Sequence, residues 1–390
     1  MRSSFAKIII TVVVVSGFVW STTANAVPSF ARKHELNCSA CHTAYPQLNA
    51  TGREFKENGY RFMNAEEVSD MLEISDALQL SRHVPVSAIL VARPYDKKDS
   101  GDTKMRALHE VEIIIAGAIG NKWSGYIEIE AEDETGFEPE VAPAVLTYNQ
   151  SREFNVQFVY GSTFWADSYG ILNDHFRLTR GHVGAIDQRF GGADNNGRFR
   201  SVRQSVGIYG RFADRFFYNL NIGGVAGDSE GENPSTVSGL FNADITDNFM
   251  VGAFAMSCDD EITMRDFSRA GVQFQTDLGD LRLQGLYIAG TDDRDALDIR
   301  GPGEDDNDAF SLQAIYTVIN DDLRPTWVPM IRLDSYETND GMDSFDELTL
   351  NLSYYFTQNI KGYVEYWDRF DAPTSAQQDN RVTVQIVAAF

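Results

Sequence analysis

From residue 84 to residue 390 the chain repeats one pattern, an alternation of apolar and polar side chains with period two. Successive residues of a strand point to opposite faces of a sheet, so the pattern specifies strands with one apolar and one polar face. Between Trp123 and Glu132 one face carries Trp123, Gly125, Ile127, Ile129 and Ala131, and the other Ser124, Tyr126, Glu128, Glu130 and Glu132. Phe216, Tyr218, Leu220 and Ile222 alternate likewise with Phe217, Asn219, Asn221 and Gly223. Leu348, Leu350, Leu352, Tyr354 and Phe356 alternate with Thr349, Asn351, Ser353 and Tyr355. Such strands can bury the apolar face in a soluble sandwich, or turn it to lipid around a polar lumen.

Four features favour the barrel. The first residues read as a secretory signal: Arg2 and Lys7, an apolar run from Ile8 to Trp20, and the small-x-small site Ala24-Asn25-Ala26. Residues 1–26 are therefore expected to be removed, an uncleaved anchor being the alternative. Carboxylates line what would be the inward face of Trp123 to Glu132. Aromatics at strand ends, Phe164-Trp165, Tyr354-Tyr355-Phe356 and Tyr366-Trp367, suit interface girdles. The last strand alternates as Val382, Val384, Ile386, Ala388 and Phe390, and its terminal aromatic resembles the assembly signal of bacterial outer-membrane proteins.

Strands are expected to start near 84, 105, 123, 141, 154, 199, 216, 235, 248, 267, 281, 308, 325, 345, 359 and 380. The count is even, as single-chain bacterial barrels require. Connections alternate between short turns and longer segments, among them 133–140, 166–198 and 291–307, the pattern of periplasmic turns and external loops. The expected fold class is all-β: a 16-stranded antiparallel transmembrane β-barrel over 84–390, in the bacterial outer membrane. Residues 27–83 form a small helical segment, too short for a core of its own and expected to plug the lumen.

The charge balance is acidic, with 57 Asp and Glu against 33 Lys and Arg and a net charge of −24. That argues against nucleic acid as a partner and against docking on anionic lipid through basic patches. External segments are rich in acids; Asp305, Asp306 and Asp308 are candidate ligands for a hard external cation, a solvated loop being the plain alternative. Cys258 stands alone near a strand end and reads as a small structural residue.

Cys38-Ser39-Ala40-Cys41-His42 carries the chemistry. A lone C-x-x-C could be a redox pair or half a zinc site. The following His, the export signal and the lack of a second C-x-x-C turn it into a c-type haem attachment motif. Cys38 and Cys41 are the expected attachment points for one haem c, and His42 an iron ligand. Met63 is a candidate second axial ligand, with a packing role as its alternative; His34, Met71, His83 and His109 are further candidates. Tyr45, Leu48, Phe55, Tyr60 and Phe62 are candidate pocket walls. No nucleophile triad, phosphate loop or paired-acid site is evident.

Phe30-Ala31-Arg32-Lys33, Cys38 to Ala44, Pro46, Leu48-Asn49, Gly52-Arg53, Phe55-Lys56 and Asn58-Gly59-Tyr60 resemble the haem segment of fused monohaem cytochrome–porins, outer-membrane proteins best known in iron-oxidising bacteria. The resemblance implies an electron-transfer protein, an iron(II):cytochrome oxidoreductase. It would pass electrons from an external donor such as ferrous iron to a periplasmic cytochrome or other carrier. Outward transfer to external metal and a diffusion porin with a haem plug are the alternatives. The barrel is on the short side for the iron oxidases of that family.

Overall fold

The computed structural model describes residues 29–62, 71–75, 78–173, 175–187, 197–226, 235–259, 266–294, 299–374 and 376–390. The expected signal at 1–26 and the candidate ligand Met63 lie outside them. The segment before the barrel contains helix α1 (Ser29–His34), a 3-10 turn (Cys38–Ala40), the short paired strands β1 (His42–Ala44) and β2 (Gln47–Leu48), helix α2 (Ala50–Glu57), and a hairpin of β3 (Met71–Ser75) and β4 (Leu78–Ser81).

Sixteen antiparallel strands then close on themselves. They are β5 (Val86–Lys98), β6 (Thr103–Ile119), β7 (Trp123–Glu132), β8 (Glu140–Asn149), β9 (Asn155–Gly161), β10 (Arg203–Phe212), β11 (Phe216–Gly223) and β12 (Thr236–Thr246), followed by β13 (Phe249–Cys258), β14 (Phe267–Leu278), β15 (Leu281–Asp293), β16 (Glu304–Tyr316), β17 (Trp327–Thr338), β18 (Asp343–Tyr355), β19 (Ile360–Asp371) and β20 (Asp379–Ala389). Each pairs with its sequence neighbours, and β20 pairs with β5. Phe390 and Ala88 exchange backbone hydrogen bonds of 2.8 and 2.9 Å at that seam. Closure satisfies every edge, which a bilayer demands. The expected starts agree; the largest offsets are at β10 and β16, four residues each.

The outer wall is apolar: Ile113, Ile115, Leu220, Ile222, Val272, Leu350, Leu352 and Val364 stand exposed on it. The alternate positions, among them Asn219, Gln273, Gln284, Asn351 and Gln385, are buried and face inward. A closed sixteen-stranded barrel with an apolar belt is an outer-membrane architecture. Aromatic pairs at the short-turn end, Trp123 with Tyr148, Phe216 with Phe241 and Trp327 with Tyr354, form its girdle. Phe164, Trp165, Tyr355 and Trp367, expected in the girdle, are instead buried. They sit on the lumen side, where the plug and one long connection offer rings an apolar surface.

That connection is the main departure from expectation. Residues 166–198 read as an external loop, yet the parts 162–173 and 175–187 of the segment from β9 to β10 fold into the lumen. Phe164 to Asn173 are all buried. Ile171, Leu172, Val183 and Ile186 pack on Phe217, Leu240, Phe254 and Ile288 of the inner wall. Apolar residues therefore face inward on β11 to β15, against the general alternation, because this part of the lumen holds protein rather than water. Helix α3 (Gly184–Asp187) belongs to the same loop.

Candidate functional site

The segment 29–62 fills the lumen at the short-turn end. Ser29 N donates to Ser87 Oγ at 2.6 Å, Ser39 N to Gln358 Oε1 at 3.3 Å, and Arg61 to the carbonyl of Gly120 and the side chain of Asn149, each at 3.0 Å. Asn49 organises its fold. Its side-chain oxygen accepts from Gly52 N at 3.0 Å and caps α2, while its amide donates to the carbonyls of Ser39 and Ala40 at 3.2 and 3.1 Å. One side chain thus starts the helix and ties it to the C-x-x-C turn. Gly52 allows the approach: a Cβ there would lie 2.2 Å from Cys41 O.

The inward loop descends from the opposite end and meets this segment. Gln47 Nε2 donates to Phe176 O at 2.6 Å, and Lys56 Nζ to the carbonyls of Trp165 and Asp167 at 2.5 and 2.7 Å. Leu178 packs with Ala44 and Tyr45. Between plug, loop and wall lies a cavity of about 420 Å³, within the range of small-molecule and cofactor sites.

Cys38, Cys41 and His42 all line this cavity, as do Tyr45, Leu48, Phe55, Tyr60 and Phe62. Cys38 and Cys41 form no disulfide with each other or with the buried Cys258. Burial pushes the Cys38 thiol up, and burial with Cys38 nearby lifts Cys41 to about 11. His42 Nδ1 donates to Pro46 O at 3.1 Å, which fixes the tautomer and leaves Nε2 with a lone pair. Burial pushes this imidazole down to about 4, so it stands neutral, the ligand form. Two thiols, an oriented imidazole and an aromatic-lined cavity fit a c-type haem.

The cavity is polarised across the barrel. Glu110 and Glu112 of β6 and Glu128 and Glu130 of β7 line one side. Glu112 sits directly opposite Glu130, and Glu110 opposite Glu132, pairings that cost stability between like charges. The other side presents Lys361 of β19 and Arg177 of the loop. Lys361 Nζ donates to Tyr45 O at 3.2 Å, an oxygen that also accepts from Tyr355 Oη at 2.6 Å.

The further ligand candidates do not all meet. His34 lines the cavity, its ring edge-on to those of Phe55 and Phe62. His83 is exposed. The Met71 side chain lies outside the described atoms. His109 sits at the outer end of the acidic wall, with ligand-type atoms of Glu132 and Glu134 within 4.8 Å. There Asp133 Oδ1 is 2.8 Å from His109 Nδ1, and Arg106 pairs with Glu134 at 2.5 Å, so two of these side chains already have partners. Asp305, Asp306 and Asp308 do not converge. Asp305 faces inward, fully buried, in ion pairs with Arg294 at 2.6 Å and Arg300 at 2.8 Å, whereas Asp306 is exposed on the other face.

Lys56, His175, Arg177 and Lys361 were missed in the sequence. Only the unusual apolar content of 164–186 for an external loop signalled that this segment turns inward.

The fold has close counterparts among solved structures. An anion-selective porin from Comamonas acidovorans superposes with a TM-score of 0.58 at 14% identity, covering 78% of this chain and 98% of that one. The outer-membrane protein OmpT of Vibrio cholerae gives 0.58 at 13% identity, covering 79% and 97%. Salmonella typhi OmpF in complex with daunomycin gives 0.57 at 16%, covering 79% and 98%. At these identities the likeness is one of fold. No family model and no curated protein sequence matches the chain.

Proposed function

We propose that this porin-like barrel is an electron-transfer protein of the outer membrane: a signal at 1–26, a haem c segment at 27–83 and a barrel at 84–390. Cys38 and Cys41 would hold one haem covalently, with His42 on its iron. The observation that carries the reading is the convergence of both thiols and an oriented imidazole on one lumen cavity, enclosed by plug and loop. A bound haem supplies a one-electron centre within the insulating band of the membrane. The chain's residues do the rest. Lys361 and Arg177 offer cationic partners to the haem carboxylates. Glu110, Glu112, Glu128 and Glu130 draw cations toward the cavity, as a one-signed wall at low dielectric does.

The external donor in this reading is ferrous iron, which gives up one electron that a periplasmic cytochrome or other carrier takes up. The activity is that of an iron(II):cytochrome oxidoreductase and needs no acid–base group at the metal. Outward flow to an external metal uses the same parts in reverse.

A second reading, a diffusion porin, is favoured by the fold likeness, since the structural counterparts include a porin described as anion-selective. Anaerobic stopped-flow mixing of the oxidised protein with ferrous iron separates the readings. Prompt reduction of the haem α-band, saturating in iron, supports inward electron transfer. Reduction by dithionite alone rules out iron as donor. A chain with no α-band and a steady conductance in a planar bilayer is a diffusion porin.

A further inference from the structure

We propose that His175 is the second axial ligand of the haem iron, opposite His42; the inference rests on the haem reading above. Three imidazoles among the described residues line the cavity: His34, His42 and His175. His34 and His42 belong to the same plug segment. His175 alone belongs to the loop that enters from the other end of the barrel. His175 faces from that loop the same cavity that His42 faces from the plug, so the two imidazoles reach it from different elements.

The loop is built to hold this residue in place. His175 N donates to Asn173 Oδ1 at 3.3 Å. The next carbonyl, Phe176 O, is tied to Gln47 of the plug at 2.6 Å. The imidazole stands edge-on against Trp165, ring centroids 4.1 Å apart at 88°, and Trp165 is wedged against Tyr126 of the wall. The ring is fixed by a neighbour on its flank while still bordering the cavity. His34 is likewise flanked by two rings, Phe55 at 5.6 Å and Phe62 at 4.9 Å, as His175 is by Trp165 and, at 6.3 Å, Phe176, so it is the loop origin of His175 that separates the two candidates. An axial ligand on the inward loop would also give that loop a reason to close over the site.

The test is the ligand set of the ferric protein, read by electron paramagnetic resonance and near-infrared magnetic circular dichroism, with covalent haem first quantified as the pyridine haemochrome. The wild type is expected to be low-spin with two imidazoles. H175A should lose the low-spin signal and regain it with added imidazole. H175M, close in size and retaining an axial donor, should show a His–Met spectrum and a raised potential. H34A should leave the wild-type spectrum in place. A low-spin bis-imidazole spectrum surviving in both H175A and H175M overturns the assignment, as does its loss in H34A or a His–Met spectrum in the wild type. Wild-type protein without covalent haem overturns the haem reading itself, and this inference with it.

Discussion

Arg211 of the barrel wall grips Glu57 of the plug helix with two hydrogen bonds, Nε to Oε2 at 2.6 Å and Nη2 to Oε1 at 2.9 Å, and both side chains are buried. Ser168 of the inward loop donates to the same carboxylate at 2.5 Å, and Asp244 takes the third arm of the guanidinium at 2.5 Å. Plug, loop and wall therefore share one buried network. Replacing Glu57 leaves Arg211 paired with Asp244 alone and removes the charged link between plug and wall, so the loss falls on the attachment of the plug. Glu57→Gln is expected to loosen the plug while the barrel stays folded. Limited proteolysis should cleave the plug in the variant, with unchanged heat-modifiable gel mobility of the barrel; a protease-resistant plug would refute the role.

Gly52→Ala tests the contact between α2 and the haem motif. In a free helix the change favours stability by about 1 kcal/mol. Here the new Cβ meets Cys41 O at 2.2 Å and Leu48 Cδ2 at 3.0 Å, and a backbone oxygen cannot step aside cheaply. The expected outcome is a net loss of stability and a lower covalent haem yield, measured as haemochrome per protein. An unchanged yield would show that the helix can shift without disturbing the motif.

Lys56 predicts a pH dependence. Burial pushes its ammonium from 10.5 down to about 8. Between those values the unfolded chain holds a proton that the folded chain has released, so stability rises with pH through the window. Buried Tyr45 and Tyr60, pushed upward, oppose this above their ordinary value of 10. Urea midpoints in detergent should therefore increase from pH 8 to pH 10 in the wild type and rise less steeply in Lys56→Met. Equal slopes would mean that the amine stays charged in the fold.

The acidic wall predicts ion preference. Ions that enter the cavity meet Glu112 and Glu128 on one side and Lys361 and Arg177 on the other. Given the further acids Glu110 and Glu130 on that wall, the reversal potential across a salt gradient at alkaline pH should indicate cation preference. Glu112→Gln with Glu128→Gln should move it toward zero. Anion preference in the wild type would refute the acidic wall as the dominant field.

The sequence by itself determined the barrel. The period-two alternation fixed which side chains face lipid, and the alternating connection lengths fixed sixteen strands and their phase, because both follow from local backbone geometry. The spacing of Cys38, Cys41 and His42 points to haem attachment without a fold, since the three residues are neighbours in the chain. Tertiary structure alone decided what surrounds them. The loop that brings in Trp165 and His175 resembles any long external connection until the inner wall offers Phe217, Phe254 and Ile288 as a surface to bury it. Lys361 lies more than three hundred residues from Tyr45, yet barrel closure sets them in contact. Asp305 looked like a free acid in an acidic run, and only the register of β15 with β16 turned it inward, onto Arg294 and Arg300. Period and motif are local and can be read along the chain. Charge pairing across a lumen is set by closure, which no local pattern encodes.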